Sequence, residues 1–350
     1  MRKYLDANII ENTKDMPKEK WLNKRRCGIG GSDASSILGF NPYRSSMSVY
    51  LDKINGSKVK SIAQNRDAHK DSGSKEKVDV KNCDDNFYND STENTVSYDN
   101  KNIYKMELSN KLKSFVASEF MIKTGKKVRN INGILSNDKY PFAIANIDRA
   151  VVGEKAFLEC KVTNSFNKKE WEKTVPIHYQ IQMNHYMAVT GASYCYVAVL
   201  IGNEEVVIHK LKRDEEMIDE IMKLEEMFWN NCILGDELPM PDGSNDYSKT
   251  LDTLYKESKC EELILFEAEK ILERYDEVVR LYKVFEKEKK AIEQYLKLQM
   301  KDYEIAYVGD RKITWKKQER NTIDTTKLKK EHPEIVAKFM KTTTSRVLKI

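Results

Sequence analysis

The spacing of hydrophobic and polar residues along the chain predicts a mixed α/β fold. Apolar residues three to four positions apart predict one helix over residues 108–122, which Gly125 would end, and another over residues 177–189. Short apolar runs bounded by turn residues are typical of strands. They occur at residues 142–148, 150–152 and 157–162, and as a hairpin over residues 194–211. The middle of the chain is therefore expected to form a mixed sheet flanked by helices.

Changes in this pattern divide the chain into five segments. Residues 1–56 and 103–235 are expected to build one α/β core. Residues 57–102 contain almost no apolar side chains, so they cannot offset their ordering entropy, and we expect an inserted mobile loop. Residues 236–301 predict a charged helical arm, and residues 302–350 a basic hairpin with a short helix. The arm would pack on itself or on the core, or alternatively bind a partner.

Composition excludes several classes of protein. Of the 350 residues, 40% are hydrophobic and 33% charged, as in globular proteins. No run approaches the ~20 apolar residues of a membrane span, and the N-terminus lacks an apolar signal region. We therefore expect an intracellular protein. The six cysteines are widely spaced without a CxxC pair, which argues against a zinc ribbon or a disulfide scaffold.

Positive charge is concentrated near the C-terminus. The formal net charge of the chain is +5, which permits nucleic-acid binding without requiring it. Residues 311–350 contain 12 Lys and Arg against 4 Asp and Glu, and Trp315 lies among the lysines. This segment is a candidate surface for the phosphate backbone of DNA.

A glycine-rich segment leads into a predicted short helix. Gly30 and Gly31 directly precede Ser32 and Asp33. Ser32 or Asp33 is expected to cap the helix, since their side-chain oxygens can accept hydrogen bonds from its first N–H groups. The glycines allow a ligand to approach the backbone closely.

Two carboxylates and a lysine are predicted to converge on neighbouring strands. Asp148 ends one strand and Glu159 lies in the next, so a hairpin would bring them side by side. Glu159 and Lys161 share one face of their strand, whereas Cys160 points into the opposite layer. Carboxylates and a backbone carbonyl such as that of Cys160 are ligands that Mg²⁺ prefers, and Lys161 could orient or activate an attacking water and neutralise a scissile phosphate. The alternative is a cross-strand ion pair without chemistry.

Two polar residues of the 177–189 helix extend this candidate site. Gln182 and Tyr186 lie four positions apart and therefore share a face of the helix. They could contact a metal-bound water or a phosphate, or form a hydrated helix surface. The sequence contains neither a G-x-x-x-x-G-K-[ST] loop nor an H-E-x-x-H pair, so ATP hydrolysis and zinc protease chemistry lack support.

The order of these motifs resembles that of a known family. R-x-x-x-I-G-G-S-D-A is followed by T-G-K-K-V, by I-D-x(10)-E-x-K, and by Q-x-x-x-Y before V-T-G. This order resembles the YqaJ-like viral recombinase family, which is similar to lambda exonuclease within the PD-(D/E)xK nuclease superfamily. The resemblance covers about residues 21–211 without the insertion, and residues 315–335 look like the ending of many phage members.

The resemblance implies a restriction-endonuclease-like fold and a metal-dependent exonuclease. Such an enzyme would resect linear double-stranded DNA from 5′ ends with Mg²⁺ or Mn²⁺, using two ions, in phage-type recombination. It would be encoded by a phage or prophage and act in the bacterial cytoplasm. Its partners would be DNA ends, a phage single-strand-annealing protein and further copies of the chain.

The resemblance also assigns roles to individual residues. Asp148, Glu159 and the Cys160 carbonyl would bind the metal ions, with Lys161, Gln182 and Tyr186 completing the catalytic set. Arg25 and Ser32 match the positions that hold the terminal 5′-phosphate, where an arginine and a helix N-terminus both favour an anion. Asp138 falls where the lambda-type enzymes carry an extra acidic residue and is a weaker candidate metal ligand; Glu119 could serve as a further ligand only if its helix were shifted.

One position departs from the family pattern. The helix before Thr124 usually carries G-x-x-L-E-P, in which the Glu binds metal, but Lys113 stands at that position, with Ser109 and Ser114 in place of Gly and Pro. A lysine there would compete with a metal ion. The alternative function is therefore a catalytically weakened DNA-binding or phage-interaction protein on the same fold.

Overall fold

A five-stranded mixed sheet forms the centre of the first of two units of the chain. The computed structural model describes residues 2–54, 100–266, 268–342 and 344–350. Their contacts separate the chain into two units, Met1–Leu254 and Tyr255–Ile350. The strands of the first unit are β1 (Lys3–Tyr4), β2 (Ala7–Asn12), β3 (Val128–Asn130), β4 (Gly133–Asn137), β5 (Tyr140–Ala145), β6 (Arg149–Val151), β7 (Ala156–Thr163), β8 (Tyr194–Ile201) and β9 (Glu205–Lys212). The central sheet has the order β3-β6-β7-β8-β9.

The described residues of the first unit also form helices, of which those at Asn100–Thr124 and at Ile177–Thr190 contact the central sheet. The helices are α1 (Lys18–Arg26), α2 (Gly31–Ile37), α3 (Ser46–Ile54), α4 (Asn100–Thr124), α5 (Lys168–Trp171), α6 (Ile177–Thr190), α7 (Glu215–Phe228) and α8 (Asn245–Leu254), with a π-helical turn at Trp229–Ile233. The helix predicted before Gly125 is α4, and Gly125 follows it with a φ of 68°. The expected mixed α/β class, with a central mixed sheet and helices, is confirmed.

The register of the central strands fixes the direction of each side chain. β6 and β7 are antiparallel, whereas β7 and β8 are parallel and joined through α6. Phe157 belongs to the hydrophobic core that includes residues of α6. Leu158 and Cys160 belong to a second core with Val116 and Phe120 of α4. Alternate residues of β7 therefore face different helices, and Glu159 and Lys161 lie on the α6 side.

The N-terminus contributes a second sheet that the hydrophobic pattern did not predict. It has the order β1-β2-β4-β5, and β2 pairs antiparallel with β4. Ile29 adds a parallel bridge to Ala143 of β5. This bridge places the glycine-rich segment beside the sheet, immediately before α2.

The start of α2 differs from the sequence expectation. The N-cap of α2 is Gly30 rather than Ser32 or Asp33, and Asp33 Oδ2 accepts a hydrogen bond from the Gly30 N–H at 3.1 Å. The mobile loop expected at 57–102 lies outside the described residues as far as residue 99, and residues 100–102 belong to α4.

The second unit consists of a long helix, a hairpin and two short helices. Its elements are α9 (Glu269–Met300), β10 (Ile305–Val308), β11 (Arg311–Thr314), α10 (Thr325–Glu331) and α11 (Pro333–Phe339). β10 and β11 pair antiparallel. The segment predicted as a helical arm, residues 236–301, therefore contains α8 of the first unit and the 32-residue helix α9 of the second. In the described parts of the chain, none of the helices combines the length and apolarity needed to cross a bilayer.

Candidate active site

The β6–β7 hairpin positions the two predicted carboxylates. Asp148 directly precedes β6, and β6 pairs with β7 through Arg149 opposite Leu158. The backbone N–H of Cys160 donates a hydrogen bond to Asp148 Oδ2 at 2.9 Å. Asp148 is therefore held against the strand that carries Glu159, as predicted, but it does not end a strand over residues 142–148, because β5 ends at Ala145 and belongs to the other sheet.

A row of polar contacts runs from Glu159 to α6. Lys161 Nζ lies 3.0 Å from Glu159 Oε1 and donates to Gln182 Oε1, also at 3.0 Å. Gln182 Nε2 in turn donates to the Tyr186 hydroxyl at 3.1 Å. The ammonium of Lys161 also lies 4.7 Å from the ring centroid of Tyr179. The oxygen and the nitrogen of the Gln182 amide thus both make hydrogen bonds. Gln182, which lies on α6, therefore fixes the orientation of the Lys161 side chain.

Burial and charge determine the protonation of this group. Burial, together with the nearby Asp148 carboxylate, raises the pKa of Glu159 despite the opposing ammonium groups of Lys161 and Lys113. Burial alone would lower the pKa of Lys161, but the Glu159 carboxylate together with the Tyr179 and Tyr186 hydroxyls outweighs it, and the net shift is upward. Lys161 is therefore a cation at neutral pH, suited to a charged phosphate but not to accepting a proton.

Lys113 lies at the same centre. Its Nζ is 2.8 Å from Asp148 Oδ1. Burial would lower its pKa, but the Glu159 and Asp148 carboxylates raise it well above the usual range. The departure from the family pattern thus places an ammonium group directly on a predicted metal ligand.

The predicted phosphate-binding residues lie beside the Gln182–Tyr186 pair. Arg25 Nη2 donates to Ser32 Oγ at 3.1 Å, and the guanidinium lies 4.8 Å from the ring centroid of Trp21. A Cβ at Gly31 would lie 2.6 Å from Tyr186 Cε1. Only glycine therefore allows α2 and α6 to approach this closely. The contact between these two helices connects the part of the site around Arg25 with the part around Lys161.

A buried ion pair under the phosphate segment was missed in the sequence. Lys53, 2% exposed, lies 2.7 Å from Asp33 Oδ2, and Asp33 Oδ1 pairs with Arg44. Lys53 Nζ also donates to the carbonyl oxygens of Arg25 and Gly28. Through these contacts Lys53 ties the backbone carbonyls of Arg25 and Gly28 to the Asp33 carboxylate. A lysine at the end of a helix gives no local signal of burial, so the sequence offered no way to find it.

The two weaker metal-ligand candidates are not joined to this centre. Asp138 lies in the turn between β4 and β5, and Glu119 is half-buried on α4. In residues 2–54, 100–266, 268–342 and 344–350, no three or more His, Cys, Asp or Glu side chains form a group that could hold a metal. The centre therefore contains two carboxylates, Asp148 and Glu159.

These two carboxylates fit a divalent cation with few protein ligands. Glu159 Oε2 is buried and has no hydrogen-bond partner among the described residues. A carboxylate has about four lone-pair sites, so Asp148 retains acceptor capacity beyond its contacts to Lys113 and the Cys160 N–H. Oxygen ligands completed by water suit Mg²⁺ or Mn²⁺ rather than zinc.

Comparison with known proteins relates the whole chain to one family. Residues 20–193 match the YqaJ-like viral recombinase domain. The chain is 35% identical to the protein YqaJ of Bacillus subtilis (strain 168) over 343 residues, which cover 96% of this chain and 95% of YqaJ.

Solved structures show weaker likeness. The alkaline exonuclease LHK-Exo from Laribacter hongkongensis is 17% identical, with a TM-score of 0.41 over 61% of this chain and 92% of that chain. A phage related exonuclease from Haemophilus somnus 129PT is 15% identical, with a TM-score of 0.37 over 61% and 98% of the two chains. The match to the domain and the near full-length similarity to YqaJ carry the assignment: the chain belongs to the YqaJ-like viral recombinase family.

Proposed function

We propose that this protein is a metal-dependent exodeoxyribonuclease that degrades linear double-stranded DNA from its 5′ ends in phage-type recombination. The observation that carries the proposal is the continuous arrangement from Arg25 and Ser32, across Gly31 and Tyr186, to the carboxylates. It combines a group that attracts an anionic DNA end with a group that can hydrolyse a phosphodiester. The viral recombinase domain, which matches residues 20–193, supports a role in recombination.

The roles of the cleaving residues follow from their contacts. Asp148 and Glu159, with the Cys160 carbonyl, would hold a divalent cation, which supplies activation of water and neutralisation of phosphate charge when bound. Lys161 is a permanent cation that would stabilise the negative charge developing on the scissile phosphate. Gln182 keeps the Lys161 ammonium in place, and Tyr186 fixes the Gln182 amide.

The end-binding residues would recognise the terminal 5′-phosphate. Arg25 has a planar guanidinium suited to two hydrogen bonds with a phosphate. It lies against Trp21 and donates to Ser32, so its side chain is already oriented before DNA binds. The Lys53 contact to the Arg25 carbonyl fixes the backbone of the same residue.

Digestion of linear DNA tests the proposal. Purified protein should degrade linear duplex DNA with a 5′-phosphate in the presence of Mg²⁺ or Mn²⁺, and EDTA should stop the reaction. Circular duplex DNA should survive, because it offers no end. Glu159→Gln should remove activity, since it replaces a charged ligand by a neutral amide.

The same assay distinguishes the second candidate function. The contact of Lys113 with Asp148 favours a catalytically weakened DNA-binding protein. That protein would bind DNA ends in a gel-shift assay without degrading them at any Mg²⁺ or Mn²⁺ concentration. Absence of both binding and degradation would overturn the two functions together. The annealing partner and self-association stay predictions.

Recognition of the 5′-phosphate gives a separate prediction. Arg25→Met should reduce the ratio of cleavage rates on 5′-phosphoryl and 5′-hydroxyl ends by about 10- to 100-fold, because a hydrogen bond to a charged group contributes ~1.5–3 kcal/mol. The rates are measured on otherwise identical duplexes. Arg26→Met is the matched control, since Arg26 pairs with Asp52 instead. An unchanged ratio in Arg25→Met would assign phosphate recognition elsewhere.

A further inference from the structure

The centre of the candidate site carries two positive and two negative side chains. Lys161 is paired with Glu159, and Lys113 is paired with Asp148. The four formal charges cancel without any metal ion. One acceptor remains unused, since Glu159 Oε2 is buried and has no hydrogen-bond partner within the described residues.

The position of Lys113 is fixed by the hydrophobic core. Val116, Ala117 and Phe120 are buried in the core beneath β7. Lys113 precedes them by three, four and seven residues, so it lies on the same face of α4. Packing of α4 against β7 therefore brings the ammonium to Asp148. The contact is a consequence of the fold rather than of a freely moving surface lysine.

An ammonium at this position changes what the carboxylates can bind. The first divalent cation can use the free oxygen Glu159 Oε2 and the remaining lone pairs of Asp148. A second divalent cation on the Lys113 side of Asp148 would have to share Oδ1 with the ammonium and would be repelled by it. Two carboxylates also offer too few anionic oxygens to neutralise two divalent ions together with two lysines.

We propose that Lys113 is a resident cation at the Asp148–Glu159 pair that takes the place of a second metal ion, so that the site takes up one divalent ion per chain. The inference rests on the proposed metal-dependent function and deepens it. Lys113 then has two effects. It keeps the carboxylate pair stable before the ion binds, and it restricts ion binding to the Glu159 side of the centre.

Binding of Mn²⁺ measured by electron paramagnetic resonance tests this directly, because free and bound Mn²⁺ are distinguished without any activity. The full chain should bind one Mn²⁺ that the Asp148→Asn/Glu159→Gln double variant does not bind. Lys113→Met should bind a second ion at the same centre, or bind the first at least about tenfold more tightly. Lys113→Arg keeps the charge and should retain one ion of wild-type affinity.

Thermal unfolding in EDTA supplies an independent readout. Lys113→Met should lower the melting temperature in EDTA, since Asp148 and Glu159 lose a neutralising cation, and Mn²⁺ should restore more stability to this variant than to wild type. Lys111→Met is the matched control, because Lys111 is an exposed residue of the same helix. It should leave both ion binding and the EDTA melting temperature unchanged.

Several outcomes would overturn the inference. Two ions bound by the wild type, with affinities that Lys113→Met does not change, would mean that Lys113 fills no cation position. No ion in the wild type but one in Lys113→Met would mean that the lysine excludes metal altogether. Failure of the proposed function is distinguishable, since it would appear as absence of DNA hydrolysis whatever the number of bound ions.

Discussion

Lys161→Met should reduce hydrolysis of linear DNA by about 10²- to 10⁴-fold, the usual effect of removing one group that stabilises the transition state. Methionine keeps the aliphatic volume but removes the ammonium that contacts Glu159 and Gln182. Because that ammonium would act on the phosphate during cleavage, binding of the DNA end should be retained. Single-turnover cleavage and gel-shift assays on the same duplex measure the two effects separately.

The control for this substitution lies on the same hairpin. Lys155 is an exposed residue of the turn between β6 and β7. Lys155→Met should therefore leave cleavage within the range of the wild type. If Lys161→Met cleaved DNA as fast as Lys155→Met, Lys161 would have no role in catalysis, and the contacts around it would be those of a structural ion pair.

His185→Ala should lower the free energy of unfolding by about 3–5 kcal/mol, as expected when a buried charged pair loses one partner. His185 and Glu225 are completely buried, and His185 Nδ1 lies 2.7 Å from Glu225 Oε1. The other ring nitrogen donates to the Ile144 carbonyl at 2.9 Å. The substitution leaves Glu225 without a partner and opens a cavity between α6 and α7.

Urea unfolding followed by circular dichroism measures this loss. Lys168→Ala is the matched control, because it removes an exposed ion pair with Glu205, and such pairs contribute ~0–1 kcal/mol. Equal losses in the two variants would show that the His185–Glu225 pair stabilises the fold no more than a surface contact does.

The same pair predicts how stability depends on pH. Burial raises the pKa of Glu225. Burial would lower the pKa of His185, but its contacts, above all with the Glu225 carboxylate, outweigh this effect, so the pKa of His185 is raised as well. The folded protein therefore retains a proton that unfolded His185, with its usual pKa of 6.5, releases. The resulting stability is present below pH 6.5 and declines as the pH rises through the folded pKa. When the pH is raised from about 7 to 9, the midpoint of urea unfolding should therefore fall less in Glu225→Gln than in the wild type.

Local sequence patterns were sufficient to identify the residues of the group that would cleave DNA. Asp148, Glu159 and Lys161 follow from strand alternation and a hairpin, and Gln182 and Tyr186 from helical spacing. These are short-range regularities. Their contacts in the structure agree with that geometry, while their catalytic roles stay predictions.

Long-range contacts explain what the sequence did not reveal. β2 pairs with β4, more than 100 residues later in the chain, and no local pattern in residues 7–12 specifies that partner. Lys53 is buried only because Asp33 and two backbone carbonyls come from other segments. Such acceptors become visible only when the fold brings them together.

The absent side chain of Gly31 would have a consequence for the products of the proposed cleavage. Because the backbone of α2 packs directly against the Tyr186 ring, the Arg25–Ser32 pair lies next to the group formed by Lys161, Gln182 and Tyr186. If the DNA end is held at Arg25 and cut beside Lys161, each cleavage removes the same number of nucleotides. Fragments of one uniform length, independent of base composition, would be the visible signature of this contact.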